Sequence, residues 1–274
     1  MKPATRITHL RDRAVLEAFL RRNPALHIYS LGDLDDFFWP RTHWYGLLDG
    51  SHLRQVVLFY RHEDLTTLLA LTDQRIDEMG ELLGGLRDRL PSRFHAHVSP
   101  GLAPVLQQTH ALEPHGLHYK LVMIESGRLD EVQSGDIERL SQADLPELRA
   151  FYRESYPGNW FAPRMLETNL YFGIRRGGRL VSVAGIHVYS ARLRVAALGN
   201  VATHPEHRGA GLATRTCARL CRELRATVDT IGANVRVDNT SALACYQRLG
   251  FARVADYEEH MAGPLGKSRT AKGS

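Results

Sequence analysis

Residues 204–220 read HPEHRGAGLATRTCARL. Gly209, Ala210, Gly211 and Ala213 crowd small side chains together just before a periodic run, in which Ala213, Cys217, Leu220, Cys221, Leu224 and Val228 recur at three- and four-residue spacing. That period sets the apolar side chains on one helix face and leaves Arg215, Arg219, Arg222 and Arg225 on others. A helix N-terminus exposes unpaired N–H groups and the positive end of its dipole, so it attracts anions. A phosphate reaches those amides only where no Cβ blocks it. The small residues give that clearance, and Arg208 adds a permanent charge. Two familiar phosphate motifs do not fit: a dinucleotide fingerprint needs glycine where Thr214 stands, and a P-loop needs Gly-Lys-Ser/Thr. Taken alone, the stretch is either a phosphate cradle or an ordinary glycine-rich turn from strand to helix.

The flanking sequence places it. LRVAALGNVATHP (193–205) reads as a strand closed by Pro205. Upstream, LYFGIRRGGRLVSVAGIHVYS (170–190) is a hairpin turned at Gly177-Gly178, and SQADLPELRAFYRESY (141–156) starts a helix with Ser141 and Asp144. Downstream come a strand TIGANVRV (230–237), a short helix NTSALACYQRLG (239–250) and a last strand FARVADYEEHM (251–261). Strands alternating with helices imply an α/β layer architecture.

The first half repeats the order more faintly. RDRAVLEAFLRRN (11–23) is helical, and HWYGLLDGSHLRQVVLFYR (43–61) is a hairpin turned at Asp49-Gly50. A strand LTTLLALT (65–72), a helix over 75–90, a strand RFHAHVS (93–99), a short helix over 101–110 and a strand GLHYKLVMIES (116–126) follow. Two copies of one plan point to an internal duplication. The join falls near ESGRLDEVQSGD (125–136), dividing the chain into 1–128, 129–265 and a basic tail over 266–274 that reads as disordered.

Composition narrows the class. At 274 residues, with 43% hydrophobic and 24% charged side chains, the chain suits a soluble globular protein of one large domain or two of ordinary size. No apolar run approaches the ~20 residues that span a bilayer. MKPATRITHLRDRAVLEAFLRR (1–22) is too charged for a secretory signal. Three cysteines, Cys217, Cys221 and Cys245, suit a reducing compartment, so a cytoplasmic location is expected. The net charge of +5 arises after residue 128, partly in the tail GKSRTAKGS. A nucleic-acid surface is therefore not expected, and neither is a membrane partner.

The stretch VRVDNTSALACYQRLGF (235–251) completes a pattern. Arg208-x-x-Gly211-x-Ala213, then a helix, a strand and Asn239-x-x-Ala242-x-x-x-Tyr246-x-x-x-Gly250-Phe251, resembles the GNAT acyltransferase superfamily. GNVATHPEHRGAGLAT (199–214) further resembles its glycine N-acyltransferase-like branch. The close match covers roughly 195–257, and the element order extends it to about 136–262.

The resemblance implies two GNAT-like domains, each a mixed, mostly antiparallel sheet flanked by helices, with the N-terminal copy degenerate. It implies acetyl-CoA, or another acyl-CoA, as co-substrate, with no metal. Backbone amides of Arg208, Gly209, Ala210, Gly211, Leu212, Ala213 and Thr214 would hold the pyrophosphate. The strand end from Val201 to Thr203 would splay and pair with the pantetheine arm, and Asn239 would bond the cofactor. Tyr246 would protonate the departing thiolate, a role that needs a positioned acid. A core aromatic is the alternative for Tyr246, and Phe251 is expected in the core.

The chain departs from the family at the base. Where many members carry a carboxylate, Asn200 stands, which orients a water or an amine but takes no proton. His187, on the preceding strand, has a suitable intrinsic pKa, against the alternative of a packed or outward histidine among the chain's 14. His204 and Glu206 read as solvated loop residues. A water relay, or an amine arriving neutral, stays open. Cys217 and Cys221 read as buried small hydrophobes, and Cys245 needs no acyl-enzyme role. His95-x-His97 and His115-x-x-His118 lack a defined third metal ligand.

In the first half the corresponding turn is LALTDQRIDEMG (69–80), where Asp73, Gln74 and Arg75 replace the small residues. That copy is expected to be structural or to wall an acceptor site. LGDLDDFFWPRTHWYG (31–46) is either an amine-binding lining or a packed loop with an acidic edge. The expected function is N-acyl transfer by direct attack, onto a small-molecule amine first, by a monomer or homodimer. A non-catalytic acyl-CoA-binding module and a protein N-acetyltransferase are the rivals.

Overall fold

The computed structural model describes residues 5–62, 65–133 and 135–265, so the tail expected over 266–274 lies outside the described residues. In chain order the elements are β1 (Thr5–Leu10), α1 (Arg13–Leu20), α2 (Ile28–Gly32), β2 (Thr42–Asp49), β3 (His52–His62), β4 (Leu65–Ala70), α3 (Ile76–Gly85), β5 (Phe94–Val98), α4 (Ala103–Gln107) and β6 (His110–Met123). Then follow β7 (Glu138–Arg139), α5 (Leu145–Ser155), β8 (Phe172–Arg176), β9 (Arg179–Ser190), β10 (Val195–Thr203), α6 (Leu212–Leu224), β11 (Thr230–Arg236), α7 (Thr240–Arg248) and β12 (Phe251–Pro264). Packing divides them into two units. Residues 5–22, 38–118 and 256–265 form one, and 23–37 with 119–255 form the other.

In the first unit β1, β2, β3 and β4 pair antiparallel in succession, and β4 pairs parallel with β5 across the α3 crossover. The hairpin reverses where expected: Gly50 takes φ 60°, a left-handed value that glycine adopts without a Cβ penalty, and Asp49 faces His52. Met79, Leu82 and Leu83 of α3 are buried in one core with Leu47, Val57, Leu68 and Phe94 of the sheet. Residues 258–262 of β12 pair antiparallel with β5.

The second unit repeats that plan. β7, β8, β9 and β10 pair antiparallel in succession, and β10 pairs parallel with β11 across α6. Gly177 and Gly178 turn its hairpin with φ 55° and 77°, the pair of left-handed residues that a type I′ turn requires. Ser141 and Asp144 form the reciprocal capping box, although the turn they cap is 3-10 and the α-helix begins at Leu145. Leu212, Cys217, Leu220, Cys221 and Leu224 form the buried face of α6, which packs on β8, β9 and β10. Each of those leucines contributes about 1.5–3 kcal/mol by leaving water. The fold is the expected α/β arrangement: two like domains, each with a mixed sheet flanked by helices.

Three elements escaped the sequence reading: β1, β7 and α2. The last has five residues, too few to show a helical period, yet it is closely seated. A Cβ on Gly32 would lie 2.2 Å from Val188 of β9, and one on Gly232 of β11 would lie 2.4 Å from Ile28. The paired histidines of the first unit gather on a carboxylate. His97 and His118 stand 3.5 and 3.6 Å from the two oxygens of Glu259, to which the Tyr257 hydroxyl donates at 2.8 Å. Among the described residues no group of three or more His, Cys, Asp or Glu has the spacing of a metal site, and no helix is long and apolar enough to cross a membrane.

Candidate active site

The site begins with a strand that stops pairing. β10 runs to Thr203, but its parallel ladder to β11 extends only from Val195↔Thr230 to Leu198↔Ala233. Register shifts interrupt its antiparallel ladder to β9 at 197/198 and again between Gly199 and Ala202. At the second irregularity Asn200 adopts φ 53°, a value a non-glycine residue holds only when its surroundings impose it. Val201 and Thr203 follow, both half-buried, with the Thr203 hydroxyl 3.0 Å from that of Ser182. Beyond Leu198, on the β11 side, the backbone of β10 is thus released from sheet pairing.

The bare loop lies directly after. Arg208 turns its side chain back, and its Nε donates to the Thr203 carbonyl at 3.2 Å. Gly209 and Gly211 take φ 79° and 72°, and a Cβ built on either meets nothing within 4 Å. Backbone conformation, not crowding, therefore demands glycine at both positions. Gly211 is the N-cap of α6 and no side chain caps that helix. Residues 208–211 are exposed, so the loop that leads into the first turn lies open to solvent. An exposed, uncapped helix start with two left-handed glycines fits a pyrophosphate.

The first unit carries the same backbone geometry with different side chains. Arg75, the N-cap of α3, also takes a left-handed conformation, φ 57°, and again no side chain caps the helix. But Asp77 and Glu78 occupy the first turn there, and Glu78 pairs with Arg75 at 2.9 Å and with Arg54 at 2.8 Å. Acidic side chains at that helix start oppose an anion.

α7 brings the second motif beside the loop. The Thr214 hydroxyl of α6 donates to Cys245 Sγ at 3.5 Å. Asn239, exposed, caps α7: its Oδ1 accepts from Ala242 N at 3.1 Å and from the Ser241 hydroxyl at 3.0 Å, which leaves Nδ2 to donate outward. Tyr246 lies two helical turns on, so it shares that side of α7. Its ring is buried against Phe251, with centroids 5.3 Å apart. Burial, then the Cys217 and Cys245 thiols and the Tyr29 phenol, push its pKa well above the usual phenol value. It stays protonated at neutral pH, as a proton donor must, and no described residue bonds to its hydroxyl. Cys217 and Cys221 are buried in the α6 face; the hydrogen bond with Cys245 and then burial raise the Cys217 thiol, and burial raises that of Cys221. They offer no thiolate.

Asn200 and His187 are brought together. The Tyr171 hydroxyl donates to the Ile186 carbonyl at 3.0 Å and receives Asn200 Nδ2 at 2.8 Å. Asn200 Oδ1 therefore points the other way, where His187 Nε2 stands at 3.4 Å. Read along the chain of donors, His187 carries its proton on Nε2 and its lone pair on Nδ1. Tyr152 completes the bracing by donating to the Asn200 carbonyl at 2.7 Å. Neither tyrosine was singled out from sequence, because nothing marks a residue whose partner sits on a strand irregularity. Gly199 makes the arrangement possible: a Cβ there would lie 2.2 Å from the His187 ring. Gly199→Ala should push that ring off Asn200 and lower turnover at least about tenfold, with acetyl-CoA affinity within about twofold. Steady-state kinetics beside calorimetric binding separate the two, and an Ala variant at full rate would detach His187 from the site.

The described geometry matches known proteins. The model of the Acetyltransferase (GNAT) family covers residues 136–251. An Escherichia coli (strain K12) [Ribosomal protein bS18]-alanine N-acetyltransferase is 30% identical over 120 residues, 42% of this chain and 79% of that one. Over nearly the whole chain the fold is similar to a Drosophila protein of known structure, with TM-score 0.69, 16% identity and 94% and 98% of the two chains covered. It is also similar to a tandem GNAT protein from the clavulanic acid biosynthesis pathway, with TM-score 0.58, 14% identity and 97% and 100% covered. The splayed strand, the glycine loop and the α7 motif all fall within residues 136–251 that the family model covers, and with the E. coli relative 30% identical over 79% of its length the chain belongs to the GNAT family of acetyltransferases.

Proposed function

We propose that this acetyltransferase moves an acetyl group from acetyl-CoA to a primary amine by direct attack, with the chemistry in the second unit. The observation that carries the reading is the exposed, uncapped start of α6, with Gly209 and Gly211 in left-handed conformations beside the released end of β10. The amides of residues 208–214 hold the pyrophosphate, the backbone of Val201 and Thr203 pairs with the pantetheine arm, and Asn239 Nδ2 donates to the cofactor. When bound, acetyl-CoA supplies an activated acyl group as a thioester. Tyr246 gives the departing sulfur its proton. His187, held by Asn200, orients the amine by accepting one of its N–H bonds at Nδ1. The first unit, with an acidic turn in place of the loop, is structural.

A small-molecule amine of the kind handled by the glycine N-acyltransferase-like branch is the first acceptor proposed. The α-amine of a protein N-terminus is the second, favoured by the named activity of the 30%-identical E. coli relative. Thermal unfolding tests the foundation. A ligand at 100 times its Kd stabilises by about 2.7 kcal/mol, so acetyl-CoA should raise Tm by roughly 5–10 °C. No shift at millimolar acetyl-CoA would remove the reading. Thiol release over a panel of small primary amines and an alanine-starting peptide then separates the two acceptors, and protection without turnover on any of them indicates a binding module.

A further inference from the structure

The sheet face that α2 covers in the second unit bears a buried charge that the site described so far does not use. Lys120 of β6 is only 3% exposed. Its Nζ donates to Asn234 Oδ1 of the neighbouring strand β11 at 3.4 Å, and stands 5.0 Å from the centroid of the Tyr29 ring of α2. A neutral amide and a ring face thus fix the ammonium in place. Water is given up to hide it there, and such a charge is costly to keep.

Strand alternation puts that charge at the fork. In the parallel ladder Ala197 pairs with Gly232 and Leu198 with Ala233, the last pair before β10 is released from β11. Leu198 and Ala233 lie in the core with the buried face of α6, so Ala197 and Gly232 look the opposite way. On that side a Cβ on Gly232 would lie 2.4 Å from Ile28 of α2. The next residues on the same face are Gly199, on which the His187 ring sits, and Asn234, which holds Lys120. Leu121 is in the core, so its neighbour Lys120 also looks toward α2. His187 and Lys120 therefore flank the opening between β10 and β11 on one face and at one level, through strands about 4.8 Å apart where they last pair.

Of the side chains placed at this fork, His187, Asn200, Asn234 and Lys120, only Lys120 carries a fixed charge. An amine held by His187 lies in the field of that cation. A second cation is repelled there, strongly so where water is excluded, which keeps the amine neutral. A carboxylate close to the amine is attracted instead, since an ammonium donates to carboxylate oxygens at about 2.8 Å. From this juxtaposition we infer that Lys120 is a specificity-determining residue that takes the acceptor's carboxylate, and that the acceptor is an amine with a carboxylate one to three carbons from its nitrogen. The inference rests on the transfer reaction proposed above. A peptide N-terminus lacks that charge, because the carboxyl of its first residue is tied up as an amide.

Two variants of the full chain test the assignment. Lys120→Met keeps the length of the side chain and removes its charge. Asn234→Asp keeps the lysine and sets an internal carboxylate against it, in place of the ligand's. Glycine, alanine, β-alanine and 4-aminobutyrate are compared with their amides, each rate taken per neutral amine. In wild type, kcat/KM should favour the best acid over its amide at least about 30-fold. Either variant should lower the rate on the acid by about that factor and leave the amide within about threefold, so that the preference vanishes. Equal rates on acids and amides in wild type overturn the assignment. It is equally overturned if Lys120→Met slows acids and amides alike, since the ammonium then serves the acyl oxygen or the fold and not the acceptor.

The same contact is read without turnover. With CoA present, the N-acetyl derivative of the preferred acid should bind wild type at least about tenfold more tightly than its amide, as measured by calorimetry, and the difference should disappear in both variants. Equal binding of acid and amide across the panel in wild type overturns the proposal even if no amine turns over. Loss of acetyl-CoA protection in the wild type is a separate failure, of the underlying reaction and not of this assignment.

Discussion

Tyr246→Phe lowers acetyl-transfer turnover by about 100-fold or more and leaves acetyl-CoA affinity within about twofold. The variant keeps the buried ring and its packing on Phe251, so the core loses nothing. Only the hydroxyl goes, and no described residue bonds to it, so its removal orphans no protein group. Tm should stay within about 2 °C of wild type, which corresponds to less than about 1 kcal/mol for a chain of this size. Kinetics and unfolding together make this test sharp. A large loss of rate with unchanged stability marks a chemical role, whereas a loss of both marks a core aromatic. A Phe variant at full speed removes Tyr246 from the reaction.

Gly211→Val weakens acetyl-CoA binding by at least about tenfold, as read by calorimetry or by the loss of thermal protection. At φ 72° a side chain costs about 1–2 kcal/mol, and more when it is β-branched. The variant either bears that strain or gives up the turn, and in the second case the α6 amides no longer converge. A built Cβ meets nothing within 4 Å, so the effect is conformational and not a clash. Asn visits left-handed backbone far more readily than Val does. Gly211→Asn should therefore retain much of the affinity that Val loses. Equal loss in both variants would show that the site needs the bare backbone for access and not for its conformation.

The two variants also separate what could be read from the sequence and what could not. Gly209, Gly211 and the period of α6 were legible because each signal is local: a turn needs its glycines and a helix its spacing. Asn239 and Tyr246 were legible because their interval is fixed by α7. The bracing of Asn200 by Tyr171 and Tyr152 was not, since it depends on a strand irregularity that brings together residues 29 and 48 positions apart. The burial of Asp33 was not legible either, since in sequence it stands with Asp35 and Asp36 in one acidic run. In the first unit Arg75 keeps the left-handed turn without the residue that advertises it, so the duplication is plainer in the pairing of strands than in the letters.

The division of the chain into units has a consequence for how the protein comes into being. β5 of the first unit pairs with residues 258–262, which leave the ribosome only after every residue of the second unit. Residues 23–37, which belong to the second unit, emerge long before the strands they cover. The first unit therefore cannot be finished until the whole of the second has been made. The early segment that bears α2 must wait for β9, β10 and β11, and the first unit is sealed last. The sheet of the first unit closes only when translation has passed residue 262.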